Sequence, residues 1–293
     1  MRPQAPELSS VLHRAMFGFG PDKRDSSSTG IVDCRKGSVL VSRKLVTGVH
    51  RPLRPEGGTA IVLLPPIQNL EEDTFHTVRQ ILSKEDGNEL LYFGFTVEFN
   101  EQGKATAHVY VLEDGGWHIH TSATPQLPEL PILPPESNIV LSGDKIYMPN
   151  TVGSILVLDL TSTSFIILEL PDGVRYDDGD IMLSRRDDCG VYLILLKEFQ
   201  LRIWLHKGGS GSVSDWLLVD TFRLRKMCAT MRMPNCTTDG ASTFALKIID
   251  VGDNAEFVFL EMGKSAVYLD IKSTELQKVY KPAVLDSNAI PDC

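Results

Sequence analysis

The sequence repeats one pattern, first at Leu156–Leu170 (LVLDLTSTSFIILEL) and again at Val267–Lys281 (VYLDIKSTELQKVYK). In both copies an apolar run ends in aspartate, a polar stretch containing Ser-Thr follows, and a second apolar run completes the segment. Asp159 and Asp270 lie 111 positions apart. Short Asp, Ser and Thr side chains bond the local backbone and reverse the chain. Apolar runs of strand length on either side of such a turn predict a β-hairpin at each copy.

The surroundings of the two hairpins also repeat. Each is preceded by a strand and a turn, at Ser142-Gly143-Asp144 and at Met262-Gly263-Lys264. Residues 180–224 between them contain four candidate strands, separated at residues 187–190, at Lys197-Glu198 and at residues 208–212. Residues 90–123 upstream contain three more. A four-stranded sheet cannot cover both of its faces, and radial stacking of such sheets produces a β-propeller. The spacing equals two units of about 55 residues, slightly longer than common blades. The sequence therefore predicts an all-β propeller of about five or six blades, in a complete or an incomplete ring.

The predicted domain organisation has three parts. Residues 1–30 form a loosely attached leader, residues 31–285 the propeller, and residues 286–293 a tail. Proline-rich residues 125–135 are interpreted as a linker between blades. Two alternatives remain open for Asn69–Lys84, which is either a helix or a loop followed by a strand. The short basic run at residues 223–226 is interpreted as a strand end.

Charge and composition argue against several classes of function. The chain of 293 residues carries a formal net charge of −9, which opposes non-specific nucleic-acid binding. It has no apolar run of the roughly 18 residues that a transmembrane helix needs, and its N-terminus does not resemble a signal peptide. The number of cysteines is odd, and none shows metal-type spacing. We therefore expect reduced thiols and a cytoplasmic or nuclear protein with no membrane partner.

Candidate reactive residues are few. Gly208–Ser212 resembles a nucleophile elbow but lacks its final glycine and a following helix. His118 and His120 share a strand face, but zinc needs at least a third ligand. The aspartates around Gly179 do not follow a calcium-loop pattern. Three tryptophans are expected to pack between blades: Trp117, Trp204 and Trp216. We expect no catalytic residue, no metal site and no cofactor.

The order of several short motifs resembles that of plant F-box-associated β-propeller proteins, with the grass-expanded branch as the nearest match. The first motif, a CR-x-G-x-[VL]-L strand turn, is represented by Cys34, Arg35, Gly37, Val39 and Leu40. The second, which closes a blade, is represented by Val109, Tyr110, Gly116 and Trp117. The third, VLDLxxxxF, is represented by Leu158, Asp159, Leu160 and Phe165. The resemblance covers about residues 31–285.

This resemblance implies a protein-interaction module that recognises a target for an SCF ubiquitin ligase. Family members typically carry an F-box that docks on Skp1, and no such pattern precedes Asp33, so a Skp1-type adaptor is not expected to bind. The candidate partner-binding loop is LPDGVRYDDGD, with Arg175, Tyr176, Asp177 and Asp180. Two alternatives stay open: an enzyme or carbohydrate-binding propeller with its site in the central channel, and a shortened product that competes with full-length relatives.

Overall fold

The structure is a computed structural model, and it describes most of the chain between residues 29 and 280. The described ranges are 29–35, 38–43, 46–50, 59–63, 74–87, 89–100, 105–114, 116–124, 138–150, 153–176, 180–208, 216–230, 246–262 and 265–280. The chain divides into two compact units, Met1–Gln126 and Leu127–Cys293. The boundary falls inside the predicted proline-rich linker, residues 125–135, all of which lies outside the described residues.

Unit one contains two four-stranded antiparallel sheets, each with its strands in chain order. The first sheet is formed by β1 (Thr29–Arg35), β2 (Ser38–Arg43), β3 (Val46–His50) and β4 (Thr59–Leu63). The second is formed by β5 (Thr74–Asp86), β6 (Glu89–Asn100), β7 (Ala105–Glu113) and β8 (Gly116–Ala123). Leu40 and Val49 of the first sheet pack against Ile81 and Tyr92 of the second. The two sheets therefore share one apolar core.

Unit two contains three more sheets of the same design. The third is β9 (Val140–Ser142), β10 (Lys145–Asn150), β11 (Ser154–Asp159) and β12 (Ser164–Glu169). The fourth is β13 (Asp180–Arg185), β14 (Val191–Lys197), β15 (Gln200–His206) and β16 (Trp216–Arg223). The fifth is β17 (Leu246–Val251), β18 (Phe257–Met262), β19 (Ser265–Asp270) and β20 (Glu275–Tyr280). A short helix, α1 (Leu224–Thr230), follows β16, and a 3₁₀ turn, Asp253–Ala255, joins β17 to β18.

The fourth sheet is buried on both faces. Successive strand residues point to opposite faces, and Leu193 and Ile194 of β14 are both completely buried. Leu193 belongs to the core shared with the third sheet, while Ile194 belongs to the core shared with the fifth. The first strands β9, β13 and β17 also contact one another in succession. Each sheet of unit two thus covers its neighbour, as stacked propeller blades do.

The two hairpins that repeat in sequence also repeat in structure. Asp159 Oδ1 accepts hydrogen bonds from the backbone N–H of Thr161 (2.9 Å) and Ser162 (3.0 Å). Asp270 Oδ1 accepts one from Ser273 (2.7 Å) in the β19–β20 turn. The next residue in each copy binds the turn between the first two strands of its own sheet: Leu160 N–H donates to Asp144 O (2.8 Å), and Ile271 N–H donates to Glu256 O (2.9 Å). In each copy, the aspartate therefore closes the turn between the third and fourth strands. The residue after the aspartate connects this turn to the turn between the first and second strands of the same sheet.

Register irregularities occur in edge strands. Each of the six described register shifts places the extra residue in the first or last strand of a sheet. The extra residues are Val32, Phe75, His120, Val219, Ile249 and Val279. Bulges twist and bend an edge strand, which makes further strand pairing less favourable. The central strands keep regular pairing and carry the cores.

The predicted fold class is confirmed, with five four-stranded sheets in the part of the chain that the structure describes. Of the two alternatives for Asn69–Lys84, the strand is correct, because β5 begins at Thr74; residues 69–73 lie outside the described residues. The basic run starts at a strand end, as predicted for Arg223, but its next three residues open α1. The last two residues of the predicted leader belong to β1, while its first 28 residues and the predicted tail lie outside the described residues.

Candidate interaction surface

Unit two presents two ends with different construction. We call one of them the serine end. It carries the turns that join the first strand of a sheet to the second and the third strand to the fourth. These turns include residues 142–145, 159–164, 185–191, 251–257 and 270–275. The loop end is opposite: it carries the residue 170–180 connection, the Glu198–Phe199 turn and α1. Loops held by rigid sheets are the usual carriers of recognition, so either end can present a binding surface.

Serine hydroxyls bind neighbouring sheets together at the serine end. Ser142 Oγ donates to Arg186 O (2.8 Å), across from the third to the fourth sheet. Ser184 Oγ donates to Gly252 O (2.6 Å) and accepts from Ala255 N–H (3.0 Å), across from the fourth to the fifth. Both serines are buried. Because buried polar groups are costly unless paired, these contacts fix the relative positions of adjacent turns.

Charged side chains extend this network. Arg185 Nε and Nη2 donate to the two carboxylate oxygens of Asp253 at 2.9 and 3.0 Å. Asn254 Nδ2 donates to Asp187 Oδ2 (2.7 Å), and Asn254 Oδ1 accepts from Asp187 N–H (3.1 Å). A bidentate arginine–carboxylate pair fixes orientation as well as distance. The polar residues between these two sheets are therefore engaged in holding turns in place.

A second polar group lies between the third and fourth sheets. Lys145 Nζ is 3.7 Å from Asp159 Oδ2 and donates to Gly208 O at 3.2 Å. Burial, together with the nearby Cys189 and Asp159, raises the pKa of Tyr147 to about 12. Hydrogen bonds from the Ser162 and Thr161 backbone hold the pKa of Asp159 below its ordinary value, against the opposing effect of burial. The Lys145 ammonium thus connects the third sheet to the backbone of the fourth.

The predicted partner-binding loop lies at the loop end. Leu170 and Val174 are buried in the core between the third and fourth sheets, and Val174 N–H donates to Pro171 O (2.9 Å). This anchored turn leaves Arg175 exposed and Tyr176 half-buried, and burial raises the pKa of Tyr176. The structure thus brings Arg175 and Tyr176 to one surface.

The two predicted aspartates of this loop have different outcomes. Asp180 Oδ2 accepts a hydrogen bond from Ile248 N–H (3.0 Å), so its carboxylate connects β13 to β17. Asp180 therefore has a structural role at the start of β13. Asp177 lies outside the described residues. The prediction that this loop binds a partner stays a prediction.

The β14–β15 turn at the loop end confirms the strand break predicted at Lys197-Glu198, displaced by one residue. Lys197 pairs with Gln200, so Glu198 and Phe199 form a two-residue loop with φ of 52° and 69°. Such primed hairpin turns normally contain Asn and Gly, because other residues are strained at positive φ. Phe199 O accepts Leu224 N–H (2.9 Å), and the Arg225 guanidinium lies 5.1 Å from the Phe199 ring centroid. The only sequence signal was the polar Lys-Glu pair between two apolar runs.

Two further sequence candidates lie wholly or partly within the described residues. His118 and His120 are both exposed on β8, and the His120 ring packs against Phe93 at a centroid distance of 5.9 Å. Among the described residues, no three His, Cys, Asp or Glu side chains are grouped so that they could hold a metal ion. Of Gly208–Ser212, only Gly208 lies inside the described residues.

The three tryptophans pack as predicted. Trp204 is buried in the core between the third and fourth sheets, and Trp117 packs against the core of unit one. Trp216 Nε1 donates to Glu169 O (2.7 Å), which connects the last strands of the third and fourth sheets. These contacts are between sheets, so the tryptophans contribute to packing.

Comparison with known families assigns the fold. A family model described as "F-box protein AT5G49610-like, beta-propeller" matches residues 30–290. No curated protein matches the sequence significantly. In the described ranges, no helix has the length and apolar character required to cross a membrane.

Solved structures show more distant similarity. The SREBP–SCAP binding domains of fission yeast match at 13% identity and a TM-score of 0.33, covering 85% of this chain and 59% of that one. YCF48 from Cyanidioschyzon merolae matches at 12% identity and 0.43, covering 83% and 69%. A putative 6-phosphogluconolactonase from Bacteroides uniformis ATCC 8492 matches at 11% identity and 0.38, covering 85% and 68%. At TM-scores below 0.5 these similarities carry no argument about function.

Proposed function

The chain belongs to the F-box protein AT5G49610-like β-propeller family, and on that premise we propose that it recognises a target protein. The observation that carries the proposal is the family match over residues 30–290, since F-box proteins connect targets to SCF ubiquitin ligases. In this role the propeller contributes binding and positioning. Ubiquitin transfer would be carried out by the ligase.

The surface proposed for target binding is the loop end of unit two. Arg175 and Tyr176 are there, on a turn fixed by buried Leu170 and Val174. Arginine and tyrosine are enriched among residues that dominate binding energy, because each offers large contact area together with directional hydrogen bonding. A preorganised loop also loses less conformational entropy on binding.

We further propose that the chain is not an enzyme. The polar residues best placed for chemistry at the serine end are occupied by structural contacts, such as Arg185 with Asp253 and Lys145 with Asp159. Tyr147 keeps its proton near neutral pH because its pKa is about 12. These observations favour binding over the alternative of a catalytic or carbohydrate-binding site.

The proposal includes the compartment and the ligase contact. Cys189 and Cys228 do not form disulfides, which suits the reducing cytoplasm or nucleus. The matched segment is a propeller, and Skp1 docking requires a separate F-box. We therefore propose that this propeller supplies target recognition without itself contacting Skp1.

The test is affinity purification of the full chain, followed by mass spectrometry. The wild-type chain is compared with Arg175→Ala/Tyr176→Ala at the loop end and with Lys207→Ala/Lys272→Ala, whose exposed side chains lie at the serine end. The proposal expects a protein that the wild type and the serine-end variant retain and the loop-end variant loses. Recovery of no specific protein contradicts the interaction function. Recovery of Skp1 with the purified chain contradicts the proposal that this propeller does not itself contact Skp1.

A further inference from the structure

Three exposed basic side chains share one face of the fourth sheet at its loop end. Lys197 of β14 pairs with Gln200 of β15, and Gln200 pairs with Arg223 of β16. Directly paired residues point to the same face, as do residues two positions apart along a strand. Arg202 therefore shares this face with Gln200. Lys197, Arg202 and Arg223 are all exposed.

A glutamine brings two of these charges together. Arg202 Nε and Nη2 both donate to Gln200 Oε1, at 2.9 and 2.6 Å. The Arg202 guanidinium is thereby drawn toward Gln200, whose direct cross-strand partner is Arg223. Within the described ranges, neither arginine forms an ion pair with an acidic side chain. Like charges on neighbouring strands repel each other, so the arrangement would be relieved by an anion bound between them.

The strained turn beside these residues holds a further arginine. Glu198 and Phe199 both have positive φ, and strain of this kind persists only where the surroundings determine the conformation. Phe199 packs against the core between the fourth and fifth sheets, and its carbonyl anchors α1 through Leu224. Arg225 then stacks over the Phe199 ring. Arg225 therefore lies toward the fifth sheet, and we call only Lys197, Arg202 and Arg223 the basic patch.

We propose that the basic patch binds an acidic segment of the target protein; this inference rests on the proposed function and names the chemistry of its partner. Guanidinium groups bind carboxylates through paired hydrogen bonds, and the Arg202 guanidinium is already oriented by Gln200. Both ends of unit two carry exposed acids, such as Asp187 at the serine end and Glu198 beside the patch. The attraction for an acidic segment is therefore local to the three basic side chains of the patch.

A protein partner is favoured over nucleic acid by the charge of the whole chain. Its formal net charge of −9 opposes the long-range attraction on which nucleic-acid binding depends. The patch is also compact, since strand register places its three residues at the loop ends of the adjacent strands β14, β15 and β16. A compact patch fits a few carboxylates of a peptide segment better than an extended phosphate backbone.

The test measures binding of a fluorescein-labelled ten-residue glutamate peptide by fluorescence anisotropy at low and physiological salt. Arg202→Glu/Arg223→Glu is compared with Lys207→Glu/Lys272→Glu, which changes the net charge equally but at the serine end. We expect the patch variant to weaken peptide binding about tenfold or more and the serine-end variant to change it far less. Circular dichroism and thermal unfolding of each variant confirm that both remain folded.

Three outcomes would overturn the inference. The first is equal loss of peptide binding in both double variants, which would show that peptide binding depends on the net charge of the chain and not on the basic patch. The second is tighter binding of a ten-nucleotide single-stranded DNA than of the glutamate peptide. The third is failure of the wild-type chain to bind the peptide at all.

The affinity experiment separates this inference from the proposed function. If the captured target binds Arg202→Glu/Arg223→Glu as well as it binds the wild type, the acidic-segment inference is wrong while target recognition stands. If no target is captured by the wild type, the proposed function is wrong, whatever the peptide does. Carbodiimide coupling of the glutamate peptide to the Lys197 amine, located by mass spectrometry, would support binding at the patch.

Discussion

At the scale of single residues, one serine position recurs near the end of first strands. Ser83, Ser142 and Ser184 each follow an apolar residue and a leucine, and all three are buried. Ser142 and Ser184 donate to a backbone carbonyl of the next sheet. The repeated apolar-Leu-Ser tripeptide was visible in the sequence. Its role was not, because the acceptor of the Ser184 hydroxyl lies 68 positions away.

Replacement of Ser184 by alanine should destabilise the protein by about 2 kcal/mol. The substitution removes the donor to Gly252 O and the acceptor of Ala255 N–H, and an unsatisfied buried polar group costs roughly 1–3 kcal/mol. Urea unfolding measures the change. Ser162→Ala is the matched control at an exposed turn position and should cost less than about 1 kcal/mol. Equal effects of the two substitutions would contradict the structural role of Ser184.

The turn aspartate predicts a pH dependence of stability. Because the folded state holds the pKa of Asp159 below its ordinary value, its stabilising contribution is complete above the unfolded pKa of about 3.9 and is lost as pH falls through the folded pKa. Asp159→Asn should therefore cost stability at pH 7 and lose that disadvantage below about pH 4. Urea midpoints of both proteins between pH 7 and pH 3 test this. A difference that stays constant over that interval would refute the prediction.

At the scale of elements, edge strands combine a bulge with an aspartate. In β16 the extra residue Val219 precedes Asp220, whose Oδ1 accepts Thr221 N–H (2.6 Å). In β17 the extra residue Ile249 precedes Asp250, whose Oδ1 accepts Val251 N–H (2.8 Å). A bulge and a charge both discourage pairing with another chain, and the carboxylate also occupies a backbone donor.

Replacement of Asp220 by valine should therefore promote self-association. Leu217, Leu218 and Val219 in the same strand are 55%, 51% and 50% exposed, and the substitution would remove the charge beside them. Sedimentation velocity should show a sedimentation coefficient that rises with protein concentration more steeply than in the wild type. Asp172→Val, in an exposed turn, is the control and should behave as the wild type does. Indistinguishable behaviour of the two variants would show that Asp220 does not protect this edge.

Element types were largely predictable from sequence, and their exceptions have physical causes. Apolar runs separated by polar turns correctly placed the hairpins at residues 154–169 and 265–280. The Lys197-Glu198 pair predicted the β14–β15 turn to within one residue. The positive φ of Glu198 and Phe199 was not predictable, because these residue types disfavour the backbone conformation that the fold imposes on them. The basic patch was equally hidden. It depends on strand register, which brings Arg223 beside Gln200 across 23 positions of chain.

At the scale of the whole molecule, stability comes from apolar cores shared between stacked sheets within each unit, and the fourth sheet shares a core on each of its faces. Leu193→Ala and Ile194→Ala should each cost about 2–5 kcal/mol, because each side chain is fully buried in a different core. Leu217→Ala, on an exposed edge, should change stability by less than about 0.5 kcal/mol. Urea unfolding of the three variants provides the measurement. If one of the two neighbouring core substitutions is as mild as Leu217→Ala, the fourth sheet is not covered on both faces.

The sequence by itself determined local structure: where strands run, where aspartate and serine reverse the chain, and that the units repeat. These features depend on side-chain alternation and on hydrogen bonds that span only a few residues. Tertiary structure decided which groups meet across sheets, such as Ser184 with Gly252, Arg185 with Asp253, and Arg202 beside Arg223. The physical reason is that these contacts depend on stacking and register. Both are set by burial of the shared apolar cores, which no single stretch of the chain encodes.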